Sequence, residues 1–597
     1  LSDPANTNST VLRDTNDVVA SQGVFRADFA GIDPLSMHDV GAPVPDPVFH
    51  VNGINTRRVE PRNTPTVVNA AFNVANFWDG RANFYFNGVN PFGPMDRTSG
   101  IYENVGGVLT QKTVRIPLAS LASQAVGPPL SENEMSFVGR AFPDVGRKLI
   151  PRQPLAYQLV HPQDGVLGPL SRATLNPDGT AGGLPGLSTT YDNLVRTAFA
   201  PQYWDSTQSI GGYTQMEANF SLFFGLAVQL YEETLQSDQA PFDRFMDGDD
   251  RALTDKQLHG FEIFLDKGGC AACHKGPTLS DASVQVVGIG PPTQPVVSNN
   301  IVELMEMNDA QLSIYDGAFH NIGVRPSNPV GAAPSEDPGR GETAPFVNPL
   351  TGREYPHSFS HLAVLKALGL LPADVAALTP TLDPRFTPDI RVAANGEFKT
   401  PSLRNAELTG PYFHIGGQSS LRQVVDFYDR GGDFLAFNDP DSDPLAPFIG
   451  FTPAEEEALV AFLLSLTDPR VRLEKAPFDH PQILVPDGHP GDRNQITCVD
   501  PQAPFKACDT LRDVPAVGAF GRLAAGLGPL PTFLGLEQSP LDVGLSESLR
   551  SPQPVGTPSV TFTAVPVGGT GSYEFRFLLD NVVVQPYGSD AAWTWST

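Results

Sequence analysis

The run Cys270-Ala-Ala-Cys273-His274 brings two thiols and an imidazole together in one turn of chain. C-x-x-C-H is the pattern of covalent c-type haem attachment: the thiols add to the two vinyl groups, and the adjacent histidine supplies the proximal nitrogen to iron. A chance match, a zinc half-site and a redox dithiol compete with that reading. Zinc needs further ligands at suitable spacing, and the two remaining cysteines, Cys498 and Cys508, lie far along the chain. Those two are expected to form a local disulfide, because covalent haem attachment implies export to an oxidising compartment; the alternative is two free thiols.

Helices must hold this motif. Thr254-Asp-Lys-Gln257 reads as a capping box that opens a helix with Leu258, Phe261, Ile263, Phe264 and Leu265 near its apolar face. Gly268-Gly269 ends that helix just before Cys270. Thr452-Pro-Ala-Glu455 is a second capping box with proline at the first helical position, and a helix Ala454–Leu466 follows. A third helix is expected over Met216–Leu235, where Phe220, Phe223, Phe224, Ala227 and Tyr231 keep helical spacing. Residues 1–250 are otherwise loop-rich. Residues 276–400 are rich in Pro and Gly, with helical patches such as His361–Leu371. After Asp468 the pattern dissolves into Pro-rich sequence. From about Val555 it alternates as strands, Ser559–Ala564 and Tyr573–Phe577, with turns at Gly568–Gly571 and Asp580–Asn581. This resembles the first strands of an immunoglobulin-like β-sandwich, and the chain stops at Thr597, short of the ~100 residues such a domain needs.

The whole chain of 597 residues is too long for one core and implies two to four domains. Its 56 Gly and 58 Pro make it loop-rich, while 37 Phe supply apolar surface against disorder. A formal charge of -27 excludes nucleic acid as a natural partner, which would need a basic surface. No run reaches the ~18–20 apolar residues of a membrane span; Phe220–Leu230 is too short and reads as a buried core helix. Leu1 begins no signal peptide, so the chain is expected to start mid-protein or after processing, with both ends cut.

Several segments resemble one family. Pro61-Arg-Asn-Thr-Pro65 precedes Asn73-Val-Ala-Asn-Phe-Trp-Asp-Gly-Arg-Ala82, and Phe398-Lys-Thr-Pro-Ser-Leu-Arg-Asn405 precedes Leu408-Thr-Gly-Pro-Tyr-Phe-His414. With the haem motif, and over roughly residues 10–470, they resemble the bacterial di-haem cytochrome c peroxidases and the related MauG-type enzymes. The resemblance implies two cytochrome c-like haem domains, the second built on the two capped helices. It makes Trp78 the tryptophan between the haems that relays electrons or holes. It places Gln124, Pro128 and Glu134 in the distal pocket of the peroxidatic haem, where a carboxylate moves a proton from one peroxide oxygen to the other. Asn63, with the backbone carbonyls of Thr409 and Pro411, corresponds to an inter-haem calcium site, an oxygen-only set suited to a hard cation. His414 corresponds to a pocket residue, and His320 to one near the haem edge without assigned chemistry.

Two departures stand out. The peroxidatic haem should hang on a first C-x-x-C-H upstream of Trp78, and this sequence has none; it is expected in a preceding segment, the alternative being a one-haem relative. A loop histidine, His38 or His50, is a weak match for a mobile ligand of that haem. The distal ligand of the second haem is a Met in electron-transferring peroxidases; here Tyr428 holds that place, as in MauG-type enzymes. The expectation is therefore a mainly α, loop-rich periplasmic or secreted peroxidase: a peroxidatic-haem domain over 1–250, a cytochrome c-like haem domain over 251–470, a Pro/Gly-rich linker or extension over 471–552, and a partial β domain over 553–597. Hydrogen peroxide is the implied oxidant, and a small redox protein or a protein substrate the implied donor. The alternatives are a MauG-type oxidase acting on protein residues, and a mono-haem electron-transfer or surface protein.

Overall fold

The computed structural model describes residues 21–596, except 35, 37, 289–299, 328–338, 343–345, 348–353, 439, 445–447, 491–494, 538–541, 548–558, 568–572 and 580–581. Four helices frame the interior: α1 (Phe220–Glu232), α2 (Asp255–Leu265), α3 (Leu421–Asp429) and α4 (Pro453–Leu464). Every sheet among the described residues has only two or three strands.

Both capping boxes close as their sequences dictate. Thr254 Oγ1 accepts from Gln257 N at 3.3 Å, and Gln257 Oε1 accepts from Thr254 N at 2.8 Å. Thr452 and Glu455 repeat the exchange at 3.3 and 2.7 Å. Such caps are each worth ~1 kcal/mol, and here they set where α2 and α4 begin. The two helices then cross closely. A Cβ on Gly260 would stand 1.9 Å from the Ala458 carbonyl, so only glycine permits the approach. Phe462 of α4 fills the crossing, its ring 5.1 Å from both Phe261 and Phe264 of α2. Leu421 and Val425 of α3 join the same cluster.

The expected helix over 216–235 is interrupted. Gln215–Ala218 is one short helix and α1 starts at Phe220. Asn219 breaks the run because its amide serves a neighbour: Oδ1 accepts from Tyr102 N at 2.8 Å and Nδ2 donates to Tyr102 O at 2.7 Å. That pins the hairpin Ile101–Val105/Val108–Lys112, whose turn residues Gly106 and Gly107 both take positive φ. The patch expected over His361–Leu371 is a helix Phe359–Ala367. It starts early because the Asp316 carboxylate accepts from the N–H groups of Phe359 and Ser360 at 2.9 and 2.6 Å.

Segments on either side of the haem motif share a core. Val74, Ala75, Phe84 and Tyr85 pack with Ile301, Ile314, Phe319 and Phe359. The Pro-rich stretch after Arg472 also lies against the rest of the chain. Asn55 N donates to Phe505 O at 2.6 Å, and Gln158 Nε2 donates to Gln482 O at 2.7 Å. Cys498 and Cys508 are disulfide-bonded, with Cα atoms 5.3 Å apart. Near the C-terminus, Ser559–Val567 pairs antiparallel with Asp542–Glu547 and with Ala592–Ser596, and Phe575–Leu579 pairs with Val582–Gly588. The turns expected at Gly568–Gly571 and Asp580–Asn581 lie outside the described residues. Among the described residues no helix is long and apolar enough to cross a membrane.

Candidate functional site

Helix α2 ends at Leu265, short of the expected stop at Gly268-Gly269; a turn leads to Gly269, with φ 59°, and one 3-10 turn then carries Cys270–Ala272. His274 N donates back to Cys270 O at 2.9 Å, which folds both thiols and the imidazole toward one cavity of about 610 Å3. Leu421 and Val425 of α3 and Leu459 and Leu463 of α4 give that cavity apolar walls.

His274 Nδ1 lies 3.1 Å from the Leu279 carbonyl. A carbonyl only accepts, so Nδ1 carries the proton and Nε2 is left with its lone pair. Burial pushes the imidazole's pKa down, which keeps it neutral and fit to bind a metal. Burial also pushes the Cys270 thiol up to about 11. A redox dithiol needs the opposite shift. Cys273 Sγ, Asp281 and His320 do come within 4.8 Å of one another. Both ring nitrogens of His320 are already engaged, however: Nε2 with Asp281 at 2.9 Å and Nδ1 with Asp443 at 2.6 Å. An apolar, haem-sized cavity with two thiols and one correctly protonated histidine at its rim fits haem c better than zinc.

Tyr428 of α3 lines the same cavity, with Phe413 and Phe427 beside its ring at 6.5 and 5.3 Å. Burial holds its phenol well above the usual range, so it is protonated unless a metal displaces the proton. His414 is buried, stacked on Phe398 at 3.7 Å and edge-on to Trp78 at 6.3 Å.

Trp78 lines this cavity and is held from several sides. Its Nε1 donates to Asn63 O at 2.7 Å. The next residue, Asp79, is fully buried and ion-paired to Arg62 and Arg81, each at 2.7 Å; these guanidinium groups hold its carboxyl far below the usual range. A Cβ on Gly80 would collide with Arg340 and Phe319, so the turn that presents Trp78 depends on glycine there. Asn63 Nδ2 donates to Pro411 O at 2.6 Å, and Thr409 lies on the same cavity wall. The Asn63, Thr409 and Pro411 segments are thus neighbours, and a cation among them requires the Asn63 amide to turn its oxygen inward.

Phe77, beside Trp78, faces a second group of residues. Gln124 lies in the last turn of the helix Ser120–Ala125, and its carbonyl accepts from Gly127 N at 3.0 Å. A Cβ on Gly127 would touch Phe77 and Pro91 at 3.4 and 3.5 Å. Pro128 opens a 3-10 turn, and Glu134 lies just beyond it, half-buried. Burial first, then the charge of Glu60, push the Glu134 carboxyl up to about 7, against the opposing pull of Arg81. Glu60 is itself raised by burial, and its Oε1 is buried with no hydrogen bond. The Arg81 guanidinium lies 4.2 Å over the Phe77 ring. His50 accepts from Gly53 N through Nδ1 at 3.1 Å; neither it nor His38 lines the cavity.

Sequence reasoning did not single out Glu60, Asp281 or Lys399. Arg81 and Lys399 stood inside quoted motifs, whereas nothing local marks Glu60; its meaning arises only from the segment pairing that lays Val59 against Gln22 and Val24 against Asn133.

Residues 36–158 match the family described as di-haem cytochrome c peroxidase, CCP_MauG. The cytochrome-c peroxidase IdrP2 of Denitromonas iodatirespirans is 33% identical over 241 residues, 40% of this chain and 46% of that protein. The methylamine utilization protein MauG of Methylorubrum extorquens is 28% identical over 243 residues, 40% of this chain and 42% of that protein. Among solved structures, a variant of the diheme peroxidase BthA from Burkholderia thailandensis shares 18% identity with a TM-score of 0.33, over 79% of this chain and 98% of that one. Over these segments the chain is similar to the di-haem cytochrome c peroxidases and to MauG. It spans about half the length of the curated relatives it matches.

Proposed function

We propose that this chain belongs to an exported di-haem oxidoreductase that reduces hydrogen peroxide, with electrons relayed between two c-type haems. The observation that carries the reading is His274: its Nδ1 tied to Leu279, its neighbouring thiols and Trp78 all meet at one apolar cavity. Cys270, Cys273 and His274 would hold a covalent haem there. The first haem's attachment motif is not in this sequence, and residues 1–250 would form that haem's domain. Residues 251–470 would form the second haem domain, 471–552 an extension, and 553–597 part of an immunoglobulin-like β domain.

When bound, haem supplies the redox-active iron at which peroxide is reduced. The chain's own residues supply the rest. Glu134 takes a proton from one peroxide oxygen and returns it to the other, while Gln124 and Pro128 shape the pocket around it. Two electrons and two further protons complete the conversion to two waters. Trp78, fixed by its bond to Asn63, bridges toward the cavity of His274. Asn63, Thr409 and Pro411 would hold a calcium ion that braces this junction. The external donor is a small redox protein. The direct test is the pyridine haemochrome absorbance and peroxide turnover of the full-length protein: two haems per chain with turnover support the reading. One haem without turnover leaves an electron-transfer protein instead.

Tyr428 favours a second reading, a MauG-type oxidase acting on tyrosine or tryptophan of a protein substrate. An anionic phenolate at iron stabilises oxidised states, whereas methionine raises the potential. Tyr428→Met should therefore raise the potential of the His274 haem and change its absorption spectrum to that of methionine ligation. Redox titration with spectroscopy checks this; an unchanged potential and spectrum would remove Tyr428 from the ligand set.

A further inference from the structure

We propose that Lys399 is an anion-binding residue of the cavity, placed to pair with a carboxylate of the porphyrin carried on Cys270 and Cys273. The proposal rests on the haem reading above and goes beyond it by assigning a residue outside the attachment motif.

The backbone fixes where Lys399 can point. Phe398–Lys399 pairs antiparallel with Phe319–His320, and Lys399 N donates to Trp78 O at 2.7 Å. The side chain lines the cavity and is only 5% exposed. Its Nζ makes no hydrogen bond and no ion pair among the described residues. The Trp78 ring centroid is 5.9 Å away, at the outer limit of a useful cation–π contact, so the ring does not satisfy the charge.

None of the cavity's own acids bonds to Lys399, although Asp281, whose Oδ1 makes no hydrogen bond, attracts it through space. Asp281 and Asp443 both bond to His320, whose imidazole their charges hold well above its usual pKa. Glu303 accepts from the Tyr315 hydroxyl at 2.5 Å. A buried ammonium with no bonded anion is costly, and its pKa moves down in response; burial has pushed Lys399 down to about 8, against the opposing charge of Asp281. Arg325 lines the same cavity, and its Nε is buried without a hydrogen bond. The cavity is therefore apolar in its walls but short of negative charge, which matches a flat apolar macrocycle bearing two carboxylates.

The test uses the haem-loaded chain with Lys399→Gln and Lys399→Arg. Loss of a positive charge beside the porphyrin favours Fe(III). The Gln variant should shift the Fe(III)/Fe(II) equilibrium by about tenfold, a fall of ~59 mV for one electron. The Arg variant should stay near wild type. Resonance Raman should show a propionate bending band in wild type that moves in D2O and is lost in the Gln variant. A wild-type band insensitive to D2O overturns the proposal even if neither variant folds. So does full haem staining with unchanged potential, or a shift produced only by Arg325→Gln. Absence of covalent haem from wild type is a different result: it removes the haem reading itself and this assignment with it.

Discussion

Glu134→Gln should cost the full-length, two-haem protein ~10²–10⁴-fold in peroxide turnover while both haem spectra remain unchanged. The carboxyl sits at about 7 because burial and Glu60 both disfavour its charge. Near neutrality it can therefore both accept and release a proton, which is the property the reaction uses. The sign of the pH dependence follows. The ionised form is the one that accepts the first proton, so turnover should fall as pH drops through about 7, and the Gln variant should lose that inflection. Glu60→Gln removes the neighbouring charge that raises Glu134, and should move the same inflection to lower pH. Stopped-flow rates across the pH range decide. A loss below about threefold, or an inflection that survives in Glu134→Gln, would make Glu134 a pocket wall instead of an acid–base group.

How much of this was legible in the sequence depends on how local the signal is. The haem motif and the two capping boxes are written within five residues each, and α2 and α4 start where Thr254 and Thr452 say they should. Gly260 was not recognisable as a crossing point, because its need for glycine comes from Ala458, almost 200 residues away. The helix over 216–235 failed at Asn219 for a similar reason: apolar spacing continues through the position, but the amide is committed to Tyr102. The hairpin turn at Gly106-Gly107 was visible in principle, since two adjacent glycines suit a turn with positive φ at both positions. In the candidate site, Trp78 and Glu134 came from family likeness. Glu60 became visible only as a half-buried carboxyl with one unbonded oxygen, and Lys399 only as a buried ammonium, properties of packing that no spacing encodes.

Replacing Cys270 and Cys273 together with Ala should abolish covalent haem in this chain. Haem-stained denaturing gels read it directly, because denaturation strips off any haem held by His274 alone. Each single variant keeps one thiol and should keep reduced staining through one thioether. The structure explains why the effect should reach beyond the stain. The cavity of about 610 Å3 is walled by Leu421, Val425, Leu459 and Leu463, residues that also belong to the core where α2, α3 and α4 meet. A ligand that binds only the folded state stabilises it by mass action, and a covalent ligand does so without dissociating. The double variant should therefore melt earlier than the haem-loaded chain, and its α2–α4 region should lose hydrogen-exchange protection first. Thiol chemistry separates the rival readings of the same motif. With its thiol pushed up to about 11, Cys270 in the haem-free chain should alkylate slowly at neutral pH, as the attacking thiol of a redox dithiol would not. Unchanged staining in the double variant would sink the attachment assignment, and rapid alkylation of Cys270 in the haem-free wild type would return the motif to redox chemistry.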